Sequence, residues 1–381
     1  MKIAVISYHT CPYEPFGRGY SGGMNVFLRE LIERLSFMGV SVDVFTRSVD
    51  DDYVSVKNEH LKVYHVGCRL PPSPSLADFL AAGGRFSEGV LGCLGEGTDL
   101  AFSNYWLSAP VSLAVKARMG IPVVHMNHTL EKVKEKFSKT AYPSDALRQA
   151  RLFWEFFAQK FADRVIFPSR RDFEVSGALY PFLGKKGVVV YPGISEEFLD
   201  SPCRRVEARG EIGVPEDVFL FLFSGRDERT KNAEGLIAAF KELDRKRCRL
   251  LVLGGGAYPG EGIQCLPAQA RESLAATMDA SDCIVVPSFY ESFGFFAMEA
   301  LARGKPVVVP AGTFIGDLTA DYDLGEVFDP GQRGSLARAL GSCVERKDRF
   351  RERAPEIAAR AGQFTWERSS SRFLQVLDQL S

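Results

Sequence analysis

Short apolar runs, bounded by glycine, proline and polar residues, alternate with longer amphipathic segments along the chain. A short continuous apolar run is typical of a buried strand, and a longer segment with apolar residues three or four positions apart is typical of a helix. In the first half the pattern predicts strands at Ile3–Tyr8, Ser41–Thr46, Val63–Val66, Leu100–Ser103, Val123–Met126, Val165–Pro168 and Val188–Tyr191. The helices predicted between them lie near residues 23–38, 76–94, 108–118, 145–162 and 171–179.

A looser polar stretch, residues 194–216, interrupts this alternation before it starts again. The second series of predicted strands is Phe219–Phe223, Leu250–Leu253, Ile263–Leu266, Cys283–Val286, Pro306–Val309 and Glu326–Asp329. Alternating strands and helices predict a parallel sheet wrapped by helices. We therefore predict two doubly wound, Rossmann-like α/β domains, residues 1–195 and 196–364, with a boundary near 193–200. A ligand is expected in a deep cleft between the carboxyl ends of their strands.

Composition narrows the class of protein. The chain has 381 residues, of which 46% are hydrophobic, and a formal net charge of −1, so bulk attraction to nucleic acid or to an anionic membrane is not expected. No pair of its 8 cysteines has Cys-x-x-Cys spacing, which indicates reduced residues in a cytoplasmic protein rather than a disulfide or zinc framework. Neither a signal peptide nor a transmembrane helix is expected from the hydropathy pattern.

The stretch from Ser288 to Ala302 carries two carboxylates between two predicted strands. Glu291 lies in a loop, and Glu299 lies about two turns into a helix predicted near residues 295–303. Eight helical residues span about 12 Å, which is too far for two carboxylates to share a proton but suits the two ends of one extended ligand. The turn before the helix offers backbone N–H groups to a phosphate. The alternative is that both acids are solvated surface groups.

A glycine-rich loop follows the first predicted strand. Residues 17–22 match Gly-x-Gly-x-x-Gly, and Asp43 follows about 20 residues later, as in dinucleotide-binding folds. That motif opens directly from its strand, whereas a long loop precedes Gly17 here, so a dinucleotide site is not expected. The better candidate is the pair Gly22 and Gly23, which opens an amphipathic helix and lets a phosphate approach the helix N-terminus. The alternative is a flexible turn that only starts a helix.

Four separated motifs, in order along nearly the whole chain, resemble glycosyltransferase family 4. They are the glycine pair at residues 22–23, His-Thr-Leu at 128–130, Gly-Arg with a lysine five residues on at 225–231, and Glu-x7-Glu at 291–299. The run Gly-Gly-Met-Asn-Val at 22–26 is most similar to the branch with the mycothiol-pathway N-acetylglucosaminyltransferase and sucrose-phosphate synthase. The resemblance implies a retaining enzyme of the two-domain GT-B fold, and a last helix at 365–381 that returns to the first domain.

For the donor, the resemblance implies that Arg226 and Lys231 neutralise the leaving diphosphate, that Glu299 binds the ribose, and that Glu291 and His128 contact the sugar. The alternative is that Arg226 and Lys231 are solvated surface cations. The implied catalytic set is His128, Glu291, Arg226 and Lys231. The implied donor-binding set is Gly22, Gly23, Arg226, Lys231, Gly254, Cys265, Leu266, Ser292, Phe293, Gly294, Phe295, Phe296 and Glu299. The glycine that usually follows the lysine is Asn232 here, and His125 is expected to be structural.

For the acceptor, the mycothiol branch uses a tyrosine, a threonine, an arginine and a lysine to bind a phosphate. The matching residues here are Tyr105, Thr129 and Arg151, while the lysine has no counterpart, since residues 67–99 contain no lysine. A phosphorylated acceptor is therefore left open. So is the alternative that Arg151 simply forms a helix salt bridge with Glu155.

Two further sequence features have a structural explanation as well as a functional one. Asp50, Asp51 and Asp52 invite a metal hypothesis, but they are expected in a solvated loop, and the resemblance implies no metal held by the protein. The helix predicted at 151–161 carries five aromatic residues. Core packing is expected to explain most of them, and the excess indicates a subunit interface or an apolar acceptor site.

The resemblance therefore implies a metal-independent, retaining glycosyltransferase without a cofactor, with a nucleoside-diphosphate sugar, UDP-sugar favoured, as donor. The cysteine pattern predicts a cytoplasmic location. The expected acceptor is a small polar molecule such as a polyol or its phosphate. A homodimer and a peripheral membrane contact are left open. The alternatives are a GT-B epimerase or phosphorylase, and a non-catalytic protein that binds a nucleotide sugar.

Overall fold

The structure, a computed structural model, describes all residues except 16–21, 138–141, 143, 200–204, 226–228, 245, 255 and 381, and it leaves the side chains of 136 and 137 undescribed. It divides into unit 1, which is Met1–Gly193 with Trp366–Ser381, and unit 2, which is Ile194–Thr365.

The described strands follow the predicted series, with one addition in unit 1. They are β1 Lys2–Ser7, β2 Ser41–Ser48, β3 Tyr53–Asn58, β4 Leu61–Gly67, β5 Leu100–Asn104, β6 Val123–Met126, β7 Arg164–Phe167, β8 Gly187–Val189, β9 Phe219–Ser224, β10 Cys248–Leu253, β11 Ile263–Leu266, β12 Cys283–Val285, β13 Val307–Pro310 and β14 Gly325–Phe328. The strand that the hydrophobic pattern does not predict is β3, which lies at a sheet edge with most of its residues exposed.

The described α-helices connect these strands. They are α1 Gly23–Phe37, α2 Leu76–Cys93, α3 Ala109–Met119, α4 Glu131–Phe137, α5 Asp145–Phe161, α6 Arg170–Leu179, α7 Glu196–Leu199, α8 Arg205–Ile212, α9 Ala233–Phe240, α10 Arg271–Ala280, α11 Phe295–Ala302, α12 Phe314–Tyr322, α13 Ser335–Glu345, α14 Lys347–Glu352, α15 Ala354–Ala361 and α16 Trp366–Asp378. Among the residues described, no helix is both long enough and apolar enough to cross a membrane.

Each unit is built on one sheet. The unit 1 sheet has the order β3-β4-β2-β1-β5-β6-β7-β8, and its pairs are parallel except for the antiparallel pair β3–β4. The unit 2 sheet is parallel, in the order β11-β10-β9-β12-β13-β14. The central strands β1 and β9 are almost wholly buried, as the apolar runs that define them require. The predicted pair of doubly wound α/β domains is confirmed.

The last helix, α16, belongs to unit 1 although unit 2 precedes it in the chain. The Trp366 ring lies 5.8 Å from the ring of Phe27 on α1, and the Phe373 ring lies edge-on to Phe102 of β5 at 5.0 Å. Trp366 and Phe373 are buried, so the helix is held by apolar packing.

Candidate active site

The carboxyl ends of three neighbouring strands of unit 1 carry a connected set of polar side chains. The chain leaves β1 for β2 on one side and returns to β5 on the other, and such a change of direction is where doubly wound sheets bind ligands. Asn104, the last residue of β5, donates to Ser7 Oγ of β1 at 3.3 Å. Its Oδ1 accepts a hydrogen bond from Nε2 of His128, just past β6, at 2.6 Å. Asn104 is therefore a member of this site that the sequence analysis missed.

His128 adopts a positive φ of 56°, which is uncommon for a residue with a side chain and often marks a functional turn. Its ring meets Phe27 edge-on, with 5.4 Å between ring centroids. Burial, with a smaller contribution from His125, lowers the pKa of His128 to about 3. The imidazole is therefore neutral at physiological pH and can contact a sugar hydroxyl by a hydrogen bond, but it does not supply a positive charge.

His125 has a structural environment. It is fully buried, and its two ring nitrogens lie 3.0 Å from Ser103 Oγ and 3.1 Å from Asn127 Oδ1. Burial lowers its pKa to about 4.

The glycine pair lies at the start of α1, which begins at Gly23. Gly22 has an extended φ of −169°, which any residue adopts, and a Cβ added there would meet no described atom within 4 Å. Neither backbone strain nor packing against the described residues of unit 1 therefore explains a glycine at position 22. The other part of the glycine-rich loop, residues 16–21, lies outside the described residues.

Arg151 of α5 lies in a buried cluster with two carboxylates. Its Nε donates to Glu155 Oε1 at 2.7 Å, and its Nη1 lies 3.1 Å from Glu131 Oε2. Glu131 Oε2 also accepts from the Tyr142 hydroxyl at 2.6 Å, and Arg151 Nη2 donates to Thr129 Oγ1 at 3.4 Å. Burial raises the pKa of Glu155, and the contact with Arg151 opposes that rise. The salt bridge predicted as an alternative therefore exists, and the sequence analysis missed its second carboxylate, Glu131.

A cavity of about 90 Å³ lies beside this cluster in unit 1. The residues that line it include Tyr105, Trp106, Arg151, His9 and Phe79, together with two leucines. Tyr105 has a positive φ of 71° and Arg151 Cζ lies 5.8 Å from its ring centroid. The structure thus brings the predicted acceptor residues Tyr105, Thr129 and Arg151 into one neighbourhood.

In unit 2, Lys231 and Glu291 form an ion pair. Lys231 Nζ lies 2.7 Å from Glu291 Oε1, which also accepts from the Ser288 hydroxyl at 2.7 Å. The two charged side chains are 35% and 16% exposed, so the lysine remains accessible to a ligand while it is held. The other predicted cation, Arg226, lies outside the described residues.

Asn232 has a structural reason to replace the glycine that usually follows the lysine. Its φ is 53°, a left-handed conformation that asparagine tolerates better than most residues. Its Nδ2 donates to the carbonyl of Pro287 at 3.1 Å, which ties the segment with Lys231 to the segment with Glu291. Asparagine in place of the usual glycine therefore preserves the left-handed backbone conformation at position 232.

Glu299 is buried in α11 and paired. Its exposed fraction is 5%, and its Oε1 accepts from Arg271 Nη2 at 2.9 Å. Arg271 also donates to Glu197 Oε1 at 2.5 Å. The alternative that Glu299 lies on a solvated helix face is wrong, and Arg271 is a neighbour of the predicted ribose-binding acid that the sequence analysis did not identify.

The helix start predicted to bind phosphate is formed by Gly294 and Phe295. Gly294 has a φ of 85°, and a Cβ added there would lie 3.2 Å from the Ile315 side chain, so this position requires glycine. Ser292, Phe295 and Phe296 are half-buried. Phe293 is buried and its ring stacks on Phe314 at 5.6 Å. Its side chain therefore belongs to the core, and only its backbone is available to a ligand.

The residues predicted to border the nucleotide lie at the ends of β10 and β11. Gly254 follows β10 with a φ of 73°, and its N–H donates to the carbonyl of Leu266 at 3.0 Å. Cys265 and Leu266 are half-buried at the end of the edge strand β11.

Asp50, Asp51 and Asp52 lie between β2 and β3, and Asp52 Oδ1 accepts from the Gly67 N–H at 2.6 Å. In the described part of the chain, no three His, Cys, Asp or Glu residues are grouped as a metal site would require.

The expectation that core packing explains most aromatic residues of α5 is wrong. Phe153, Phe156 and Phe161 are 49%, 39% and 50% exposed, because the helix buries its polar cluster on one face and turns these rings outward.

Comparison with known proteins agrees with these observations. A model of the family described as Glycosyltransferase Family 4 matches residues 21–198, and one described as Glycosyl transferases group 1 matches residues 205–361. The D-inositol 3-phosphate glycosyltransferase of Nocardioides sp. is 30% identical over 98% of this chain and 89% of its own length. The enzyme of the same name from Segniliparus rotundus is 31% identical over 98% of this chain and 88% of its own.

Among solved structures, sucrose-phosphate synthase from Thermosynechococcus elongatus has a TM-score of 0.87 and 26% identity, over 100% of this chain and 98% of that one. The fold and the matched sequences together define a glycosyltransferase of the GT-B fold. The chain belongs to glycosyltransferase family 4.

Proposed function

We propose that this enzyme is a retaining hexosyltransferase that moves a sugar from a nucleoside-diphosphate sugar to a hydroxyl group of a small polar acceptor. The observation that carries the proposal is the ion pair of Lys231 and Glu291 beside Ser288 in unit 2. A half-exposed lysine held by one carboxylate can turn to a diphosphate, whose negative charge grows as the bond to the sugar breaks.

The remaining roles follow from this assignment. Glu291, released by the lysine, binds sugar hydroxyls, and Glu299, oriented by Arg271, accepts hydrogen bonds from the ribose. In unit 1, Gly22 and Gly23 at the start of α1 offer backbone N–H groups to the diphosphate. Neutral His128 contacts the donor sugar. We favour UDP-sugar because the run at residues 22–26 resembles the mycothiol branch.

We propose that the acceptor hydroxyl attacks on the face from which the diphosphate leaves, so that the sugar keeps its anomeric configuration. The acceptor proton passes to an oxygen of the leaving diphosphate, and no enzyme nucleophile is required. Lys231 and the helix N-termini supply the charge stabilisation that a metal supplies in other enzymes. The relatives act, by their name, on D-inositol 3-phosphate, so we place the acceptor among polyols and their phosphates. We also propose a cytoplasmic location, from the cysteine pattern.

A binding and turnover experiment tests the proposal. UDP-, GDP- and ADP-sugars are compared by the rise in melting temperature that each causes, and release of nucleoside diphosphate is then measured with a panel of polyols. We expect the largest rise with a UDP-sugar and release that persists in EDTA. Binding without release with any acceptor would indicate a non-catalytic protein. A complete loss in EDTA, restored by Mg²⁺ or Mn²⁺, would return Asp50–Asp52 to consideration as metal ligands.

A further inference from the structure

We infer that the acceptor is an uncharged polyol rather than its phosphate, because two buried carboxylates already neutralise the arginine of the acceptor region. The inference rests on the proposed function, in which unit 1 binds the acceptor. The inference concerns the residues around Arg151. It gives this protein a different acceptor from that of relatives that are named for a phosphorylated acceptor.

The charges around Arg151 do not leave it available to an anion. Its side chain is 6% exposed, while those of Glu131 and Glu155 are 1% and 0% exposed, so water screens these charges weakly. Both oxygens of Glu155 accept from the backbone N–H of Glu131, at 3.2 and 2.9 Å. Burial raises the pKa of Glu155; the contact with Arg151 and these hydrogen bonds oppose that rise and fix the carboxylate beside the guanidinium. The three side chains together carry a formal charge of −1 when both acids are ionised.

An anion brought to this arginine would also approach Glu131. The Oε1 atom of Glu131 is buried and accepts no hydrogen bond from any described residue. Two negative groups about 4 Å apart repel by several kcal/mol where the effective dielectric constant is about 20. A phosphate would therefore have to displace a carboxylate from Arg151, and displacement would leave that carboxylate buried without its partner.

No other described cation lines the cavity beside the cluster; Arg151 is the one lysine or arginine among its lining residues. Arg47 contacts two of those residues, since its Nε donates to the His9 carbonyl at 3.1 Å and its Cζ lies 5.2 Å from the Phe79 ring centroid. It does not itself line the cavity. Among the described lining residues, the positive charge that phosphate recognition needs therefore comes from Arg151, and Glu131 and Glu155 already offset it.

The same region suits a molecule with hydroxyl groups. Trp106, which lines the cavity and is 2% exposed, has a buried indole N–H that donates to no described group. A hydroxyl group of a ligand can accept a hydrogen bond from that N–H. Because aromatic rings form much of the wall, the C–H face of a polyol ring would have apolar surface to pack against.

The test compares uncharged polyols with their monophosphates as acceptors, using the donor that gives the largest rise in melting temperature. The variant Glu131→Gln removes one negative charge and keeps an oxygen that can accept from the Tyr142 hydroxyl. The matched control is Glu135→Gln on the same helix, where Glu135 pairs with Arg148 at 2.5 Å and is 30% exposed. Calorimetric titration of inorganic phosphate, with UDP present to occupy the donor site, measures anion binding without turnover.

We expect the wild-type enzyme to use the uncharged polyol with a kcat/KM at least about tenfold above that of its monophosphate. Glu131→Gln should shift this ratio toward the monophosphate by about tenfold and tighten phosphate binding, whereas Glu135→Gln should change neither. A wild-type preference for monophosphates would overturn the inference and make Arg47 the first candidate for the missing cation. An unchanged ratio in Glu131→Gln would also overturn it.

Failure of the proposed function gives a different result, which is no release of nucleoside diphosphate with any acceptor. In that case the phosphate titrations still decide the inference. Phosphate binding to wild type as tight as to Glu131→Gln would contradict it.

Discussion

Arg151 in unit 1 and Lys231 in unit 2 are both predicted to bind an anion, yet their surroundings differ. Arg151 is 6% exposed and lies between two buried carboxylates, and a buried hydrogen-bond network fixes those carboxylates. Lys231 is 35% exposed and pairs with one carboxylate. The two predicted anion-binding residues therefore differ: Arg151 is held in a buried ion-pair cluster, whereas Lys231 is accessible to a ligand. Motif matches alone do not distinguish these two cases.

The largest expected effect is on stability, from Arg151→Ala. Removal of the guanidinium leaves Glu131 and Glu155 buried without a counter-charge, and loss of one partner from a buried ion pair costs about 3–5 kcal/mol. Urea unfolding measures the loss. Arg170→Ala, which breaks an exposed pair with Glu174, should cost less than about 1 kcal/mol. Near-normal stability of Arg151→Ala would remove the distinction between the two regions.

The next effect is on catalysis, from Lys231→Ala. We expect kcat/KM to fall by about 100-fold or more, because a charge-assisted contact to the leaving diphosphate is lost. Stability should change little, since the lysine is partly exposed. Lys241→Ala removes an exposed positive charge from the same unit and serves as the control. Near-normal turnover of Lys231→Ala would disprove the diphosphate assignment. The same loss is expected for Arg226→Ala.

A smaller effect separates the two acids of unit 2. Glu299→Ala should weaken binding of free nucleoside diphosphate by roughly 1.5–3 kcal/mol, because a hydrogen bond to a charged group is lost. Glu291→Gln should slow turnover but leave that affinity unchanged or improve it, because Glu291 competes with the diphosphate for Lys231. Calorimetric titration of UDP into both variants is the measurement. Equal losses of affinity would show that the two roles are wrongly assigned.

The smallest effect concerns pH and the buried His125 of unit 1. The pKa of His125 is lowered to about 4 by burial, so the folded state keeps it neutral while an unfolded histidine takes up a proton near pH 6.5. Stability should be full above pH 6.5 and fall toward pH 4, by at most about 1.4 kcal/mol per pH unit from this residue. Urea unfolding at pH 7 and pH 5 should show a smaller drop in His125→Gln than in wild type. An equal drop would contradict the assignment.

The neighbouring His128 has its pKa lowered to about 3, so it should add no ionisation near pH 6.5 to the activity profile.

The sequence predicts the fold well because both sheets consist of short apolar runs, which are typical of buried parallel strands. It misses β3, since that edge strand has exposed side chains and lacks a buried face. The motifs locate Glu291, Glu299 and Lys231 in the sequence but not their partners. Arg271 lies 28 residues from Glu299 in the chain, and no local pattern connects them.

The acceptor region shows the same limit. Glu155 is four residues from Arg151 and can be found by helical spacing, whereas Glu131 belongs to a different helix. Its contact exists only because α4 and α5 pack together, and that contact reverses the expected charge of the region.

The most direct test of the central claim is an NMR measurement of the anomeric configuration of the product, made together with quantification of the released nucleoside diphosphate. The account predicts one UDP released per glycosylated polyol, and a product with the anomeric configuration of the donor. An inverted product, or free sugar formed in place of a glycosylated acceptor, would contradict it.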